Sequence, residues 1–228
     1  TTGMRGECCG SRCCSGIVRA LAVCFIGGFN MGYGLVVING VLMPIAEEFK
    51  LDPSLESLPV SVLVLGAMLG SGGGGRLVDA FGRRSGLLVS SLFYSVGALM
   101  MFSAPSAKLP GFAILLLGRV AAGIGMGLGG LAFPVYLSEV MPVHLRGRAV
   151  TAVELFVCAG ALVALVGNKL LEDAPWRWQL GGGSIVPALL ELACAWQAPE
   201  SEAWLAAVTP PQKELAVDLA SANASTTA

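Results

Sequence analysis

Long apolar runs alternate with short polar stretches along this chain, and the length of the runs sets the elements they predict. A helix needs roughly 20 mostly apolar residues to cross a bilayer core. Residues 21–43, 58–74, 87–104, 112–135, 149–167 and 178–196 each approach or meet that measure. Between them, residues 44–57 carry Glu47, Glu48, Asp52 and Glu56 and read as a polar loop. The string GRLVDAFGRR at 75–84 reads as a tight charged hinge, with Asp79, Arg83 and Arg84 set among Gly75 and Gly82. The pattern predicts an all-α membrane protein in three parts: an N-terminal tail over 1–20, a bundle of six transmembrane helices over 21–198, and a polar, alanine-rich, loosely ordered tail over 199–228.

Composition strengthens that picture. Hydrophobic residues make up 55% of the 228 and charged residues 13%, where a soluble domain would carry about 25% charged. Mean hydropathy is +0.75. The expected solvent is lipid, and a net charge of −1 offers no footprint for nucleic acid. Glycines recur at four-residue spacing (Gly66, Gly70, Gly74, then Gly123, Gly127), which lets membrane helices approach closely. Gly70 to Gly75 also spells G-x-G-x-x-G. That string ends an apolar span rather than following a strand, so a dinucleotide site is not expected.

Of the seven cysteines, Cys24, Cys158 and Cys194 lie inside apolar runs, where a thiol is ordinarily packing material. Cys8, Cys9, Cys13 and Cys14 form CC-x-x-x-CC beside the first membrane entry. No His or Cys cluster follows at finger spacing, so no metal is expected; palmitoylation and an unmodified tail are both open. No nucleophile, metal cluster or acid–base pair stands at catalytic spacing, which argues against an enzyme, and no cofactor is expected.

Lysine and arginine asymmetry gives an orientation. With the N-terminus in the cytoplasm, Arg5, Arg12, Arg19, Arg76, Arg83, Arg84, Arg146, Arg148 and Lys213 fall inside, while Lys50, Lys108, Lys169 and Arg177 fall outside. Both termini are then cytoplasmic. Ionisable groups within spans are costly and ordinarily face a cavity or a partner. Arg119, Glu154 and Glu191 are the three of this kind. Arg119 sits too deep in the fourth span for an interfacial anchor and needs a partner, water or a polar ligand; snorkelling to the cytoplasmic surface is the plainer alternative for the two acids. On the cytoplasmic side, Asp79, Arg83 and Arg84 share a membrane face with Glu139 and Arg146, which bracket Pro142. Alternating charges on neighbouring loops can lock that side and release it as a bundle rocks. His144 in the same stretch reads as ordinary surface.

These strings together resemble the N-terminal half of a sugar porter of the major facilitator superfamily. GYGLVVING at 32–40 resembles the first-helix signature, GRLVDAFGRR the first cytoplasmic loop, and GRVAAGIGMG at 118–127 with PVYLSEVMPVHLRG at 134–147 the fourth helix and its following loop. WRWQLGG at 176–182 and PESEAWL at 199–205 resemble the two ends of the sixth helix. The resemblance implies transport of a hexose-like monosaccharide by alternating access. It implies Asp79, Arg83, Arg84, Glu139, Arg146 and Glu200 as a cytoplasmic gate, with Arg119 and Glu154 as substrate-binding residues. Glu154 stands where the family usually has a sugar-binding glutamine. Gly34 stands where the family's proton symporters carry an aspartate, which favours facilitated diffusion. A carboxylate at Glu154 or Glu191 keeps proton coupling open, through a pKa that burial would raise at Glu154. PESEAWL departs from the family at Glu202 and Ala203, which weakens the gate at that end.

The expected partners are a small-molecule sugar and the lipid bilayer. A second six-helix half has no counterpart here, so the expectation is a truncated polypeptide, a homodimer, or pairing with a second transporter half. A non-transporting sugar sensor or regulatory half-transporter, and a proton-coupled sugar or polyol symporter, are the alternatives.

Overall fold

The computed structural model describes residues 11–53, 55–106 and 108–208, with side chains from residue 15 onward except those of 108 and 109. Among these residues every regular element is a helix. Helix α1 spans Ser11–Val36 and α2 Ile38–Phe49; α3 spans Leu58–Phe81, α4 Arg83–Phe102, α5 Lys108–Val140 and α6 Arg146–Leu170. A π-helical segment, Trp178–Gly182, runs into α7, Gly183–Gln197, and a short α8 follows at Glu202–Val208. Five helices are long and apolar enough to cross a membrane: α1, α3, α4, α5 and α6. The sixth expected span is the π segment and α7 taken together.

The first apolar run does not end where the sequence pattern places it. The expected loop at 44–57 begins as helix: α2 continues through Pro44 to Phe49. A proline removes one backbone donor but needs no partner for it, and Val41, Ile45 and Phe49 bury the face that keeps the turn in place. The irregularity lies instead at Val37, whose carbonyl accepts from Asn168 Nδ2 on α6 at 3.2 Å. A side chain inserted into the ladder is a known cause of a helix break.

The charged hinge is also shorter than expected. Residues 75–81 complete α3, and the chain reverses at Gly82 alone. Its φ of 96° is a conformation open to glycine and strained for other residues. A Cβ at this position would also meet a Glu200 carboxylate oxygen at 2.6 Å. The tail differs too, because α8 forms within its first ten residues. Residues 209–228 lie outside the described set, as do residues 1–10 and the side chains of the cysteine cluster.

Glycine contacts build the bundle. At the α3–α5 seam a Cβ on Gly66 would stand 2.5 Å from the Val120 carbonyl, and one on Gly123 would run into that of Leu63. Gly70 meets Ile124, and Gly127 meets Ala67, in the same way. The seam at α4–α5 rests on Gly97 against Gly118, and that at α1–α6 on Gly32 against Val157 and Gly160 against Phe29. The fingerprint-like glycines at 70–75 therefore lie within helix α3, with Gly70 and Gly74 packed against α5, rather than in a phosphate-binding turn.

Two apolar clusters fill the interior. One, around Val41, Ile45, Phe49, Leu115 and Trp176, sits toward the end where α2 finishes. The other, around Val23, Leu87, Phe133, Tyr136 and Leu137, sits toward the end that carries Arg83 and Glu139. Buried polar residues in α1, α4, α5 and α7, among them Asn30, Ser91, Ser95, Arg119 and Glu191, are set among these apolar clusters.

Candidate functional site

Three polar constellations stand out in this frame: one at the arginine-rich end, one in the interior, and one at the opposite end.

At the arginine-rich end, the reversal at Gly82 brings Arg83 back over the last turn of α3. Its Nη1 donates to Asp79 Oδ1 at 2.7 Å and to the Val78 carbonyl at 3.0 Å. The other edge of the guanidinium faces Glu139 on α5, with Nε at 3.0 and 3.2 Å from the two carboxylate oxygens. Nη2 lies 2.9 Å from Glu139 Oε1. Such forked contacts suit arginine and not lysine. The Arg83 and Glu139 side chains are 15% and 19% exposed, against 75% for Asp79, so the Glu139 contact is the better shielded of the two.

Arg84 and Glu200 meet through the main chain. The Arg84 amide donates to Glu200 Oε1 at 3.0 Å, and the Arg84 side chain donates to the Trp196 carbonyl at 2.6 Å. Tyr136 and Trp204 tie down the same segment: the tyrosine hydroxyl donates to the Pro199 carbonyl at 2.7 Å, and Trp204 Nε1 to the Asp79 carbonyl at 2.9 Å. Arg146 stands apart from the acids, its Nε donating to the Met141 carbonyl at 3.1 Å. Of the six residues expected at this end, Asp79, Arg83 and Glu139 form one cluster and Arg84 and Glu200 a second. Tyr136 and Trp204 were not singled out from the sequence, because uncharged side chains escape a search keyed to charge.

In the interior, Arg119 is 1% exposed and donates from Nη1 to the Gly34 carbonyl at 2.9 Å. A cavity beside it is lined by Gly34, Asn30, Tyr94, Ser184 and Arg119 among apolar residues, and leaves about 10 Å³ open to the centre of a water molecule. Glu191 is fully buried and accepts from Asn30 Nδ2 at 3.2 Å. The carboxylate therefore points into the bundle and not to the surface, unlike the snorkelling alternative. Asn30 is the partner that a charge-keyed reading overlooks; its signal was an amide within an apolar run.

Glu154 occupies a different place. It is exposed on α6, and the cavity beside Arg119 takes no residue from that helix. The burial expected of Glu154 is thus not supplied by this bundle, because α6 turns that face outward. Cys158, a turn further along the helix, is exposed as well.

At the opposite end, Arg177 joins three segments. Its Nη2 lies 2.7 Å from Glu48 Oε1 on α2, and its Nε donates to the Ala104 carbonyl at 2.7 Å. The Trp176 indole donates to the same carboxylate, while the guanidinium carbon sits 4.3 Å from the Trp176 ring centroid. The Arg177 hydrogen bond is the main cause holding the Glu48 carboxyl below its ordinary range, with Trp176 adding to it. Nearby, Tyr33 on α1 donates to the Gln179 carbonyl in the π segment at 2.6 Å. Gly183 leaves the room that this hydroxyl occupies.

Comparison with known proteins points one way. A family profile described as "Sugar (and other) transporter" matches residues 20–219. The chain is 35% identical over 181 residues to the glucose transporter GlcP of Staphylococcus epidermidis, covering 79% of this chain and 39% of that protein. It is 34% identical over 194 residues to inositol transporter 4 of Arabidopsis thaliana, covering 83% and 32%. The inward-open xylose transporter XylE of E. coli superposes with a TM-score of 0.74 at 25% identity, over 83% of this chain and 49% of that one. The chain thus spans about two fifths or less of the length of these curated relatives.

Proposed function

Given that this chain belongs to the sugar (and other) transporter family and is an integral, multi-pass membrane protein with the N-terminal fold of the major facilitator superfamily, we propose that it forms one half of a monosaccharide transporter. The half rocks against a second six-helix bundle, in the same polypeptide or a partner, and carries a hexose-like sugar by alternating access with no covalent chemistry. The observation that carries this reading is the Asp79–Arg83–Glu139 cluster, where one guanidinium couples the α3–α4 reversal to α5. The exposed Asp79 side of the cluster is individually modest, which lets it open and close while Glu139 holds the better-shielded side.

In this reading the arginine-rich end is cytoplasmic, as are both termini. Asp79, Arg83, Glu139, Arg84 and Glu200 form the cytoplasmic gate, and Arg146 braces the loop after α5. Glu154 faces the sugar from α6, where its carboxylate can accept from ring hydroxyls. Arg119 acts from behind the path, holding α1 to α5 through the Gly34 carbonyl. The facilitative reading is supported by Arg119 having no carboxylate partner among the described residues.

The test is counterflow of a labelled hexose in proteoliposomes that contain the polypeptide as isolated from its own membrane. Saturable exchange, competed by unlabelled hexoses and insensitive to protonophores, supports the proposal. Exchange competed only by organic ions would assign another cargo. Collapse of uptake by a protonophore would make Glu154 or Glu191 a coupling residue.

A further inference from the structure

The cavity beside Arg119 is walled by groups with hydrogen bonds to give. Nη1 of the guanidinium is engaged by Gly34, while Nε and Nη2 are buried without a partner. Tyr94, 5% exposed, lines the same cavity, and its buried hydroxyl is likewise unpartnered. Among the described residues, the buried side-chain acceptors left over are the oxygens of Asn168, Gln179 and Glu191, and none of those residues lines this cavity.

Charge points the same way. Arginine stays protonated in proteins, and an uncompensated buried ion costs several kcal/mol. No ion pair among the described residues includes Arg119, and Glu191 spends an oxygen on Asn30 instead. At Gly34, the residue whose carbonyl holds the guanidinium, a Cβ would meet nothing within 4 Å. Space for a counter-charge exists there without a side chain to supply it.

We propose that this cavity binds one small monovalent anion of halide size, chloride under ordinary conditions, held by Arg119 and Tyr94. About 10 Å³ open to the centre of a water molecule admits an occupant close to water in size and excludes a sugar ring, so the anion is a fixed structural ion and not the cargo. Water could accept from the same donors, but it carries no charge to offset the guanidinium.

The test uses the 228-residue chain in detergent at constant ionic strength, with gluconate replaced stepwise by chloride or bromide. Thermal unfolding and chloride-35 NMR line broadening are read in parallel. The proposal requires a saturable rise in Tm with chloride and bromide, absent with sulfate, together with line broadening that bromide displaces. Arg119→Gln should lose both responses. Gly34→Asp, which places a carboxylate in the open space, should raise Tm in gluconate and lose the chloride response. Indifference of the unsubstituted chain to halide would overturn the proposal and leave water as the occupant. A halide response that survives in Gly34→Asp would overturn it as well, by placing the ion elsewhere.

Discussion

The Arg119 guanidinium reaches across from α5 to the backbone carbonyl of Gly34 on α1, 2.9 Å away, and this contact ties together two helices that belong to different packing seams. Helix α1 packs along α6, and α5 packs between α3 and α4. Replacing Arg119 by methionine keeps the apolar stem and removes the donor. We expect a loss of about 1.5–3 kcal/mol, the usual scale for a hydrogen bond made by a charged group, offset in part by relief of the buried charge. Thermal unfolding in detergent reads the balance.

Gly32 and Gly34 are two residues apart and should respond oppositely to alanine. A Cβ on Gly32 runs into the Val157 carbonyl, with the Val157 Cα at 3.0 Å, whereas one on Gly34 meets nothing within 4 Å. Gly32→Ala should force α1 from α6 and cost about 1–3 kcal/mol. Gly34→Ala should be neutral or stabilising by about 0.5–1 kcal/mol through helix propensity. Equal effects of the two substitutions on Tm would show that the seam is not packed as described.

If the cluster gates transport as proposed, Arg83→Lys should weaken it without unfolding the bundle. Lysine offers a single charged head where the guanidinium forks between Asp79 and Glu139. Sugar counterflow should change in rate, and a double-mutant cycle of Arg83→Ala with Glu139→Ala should return a coupling energy larger than that with Asp79→Ala. The reason is that Glu139 is 19% exposed and Asp79 75%.

Tyr136→Phe removes one hydroxyl, the donor to the Pro199 carbonyl. The expected loss is about 1 kcal/mol. Amide hydrogen exchange should quicken across 199–205, where Trp204 and Glu200 would be left to hold the segment to Asp79 and Arg84. Exchange that is unchanged there would mean the hydroxyl is not what pins this segment.

The Glu48–Arg177 contact predicts an acid dependence with a definite sign. Its hydrogen bonds to Arg177, and next to Trp176, hold the Glu48 carboxyl below its ordinary value of 4.5. The unfolded state therefore takes up the proton first as pH falls. The stabilisation is complete above pH 4.5 and is lost as pH drops through the lower folded value. Glu48→Gln should be less stable than the parent at neutral pH, and the difference in Tm should shrink on acidification. A gap that widens in acid would reverse the assignment.

Much of this architecture is written in the apolar periodicity. The starts of α3 and α6 and the glycine seams follow from run length and four-residue spacing, because lipid permits only helices with satisfied backbones. The errors at Pro44 and at 75–81 share one cause. Polar and proline residues look like helix ends in the sequence, yet α2 is held by its buried face and α3 runs on to Gly82, where a φ of 96° reverses the chain. For the polar sites, charge was legible and amides or hydroxyls were not. Arg119, Arg83 and Glu139 announce themselves in the sequence, whereas Asn30, Tyr94 and Tyr136 acquire meaning only from what they face. Glu48 and Arg177 were visible as loop charges, but their pairing across 129 positions in the chain is a product of the fold.

Cys158 offers the most direct test of the sugar path. It is exposed on α6, one turn beyond the exposed Glu154 and on the same face. The measurement is the rate at which a small water-soluble maleimide labels Cys158, read peptide by peptide by mass spectrometry in reconstituted membranes, with and without a saturating hexose. If this face lines the path of a monosaccharide, the hexose should slow labelling several-fold while a charged, non-sugar control leaves it unchanged. Labelling at the same rate with and without hexose, in protein that retains its folded Tm, would contradict the account.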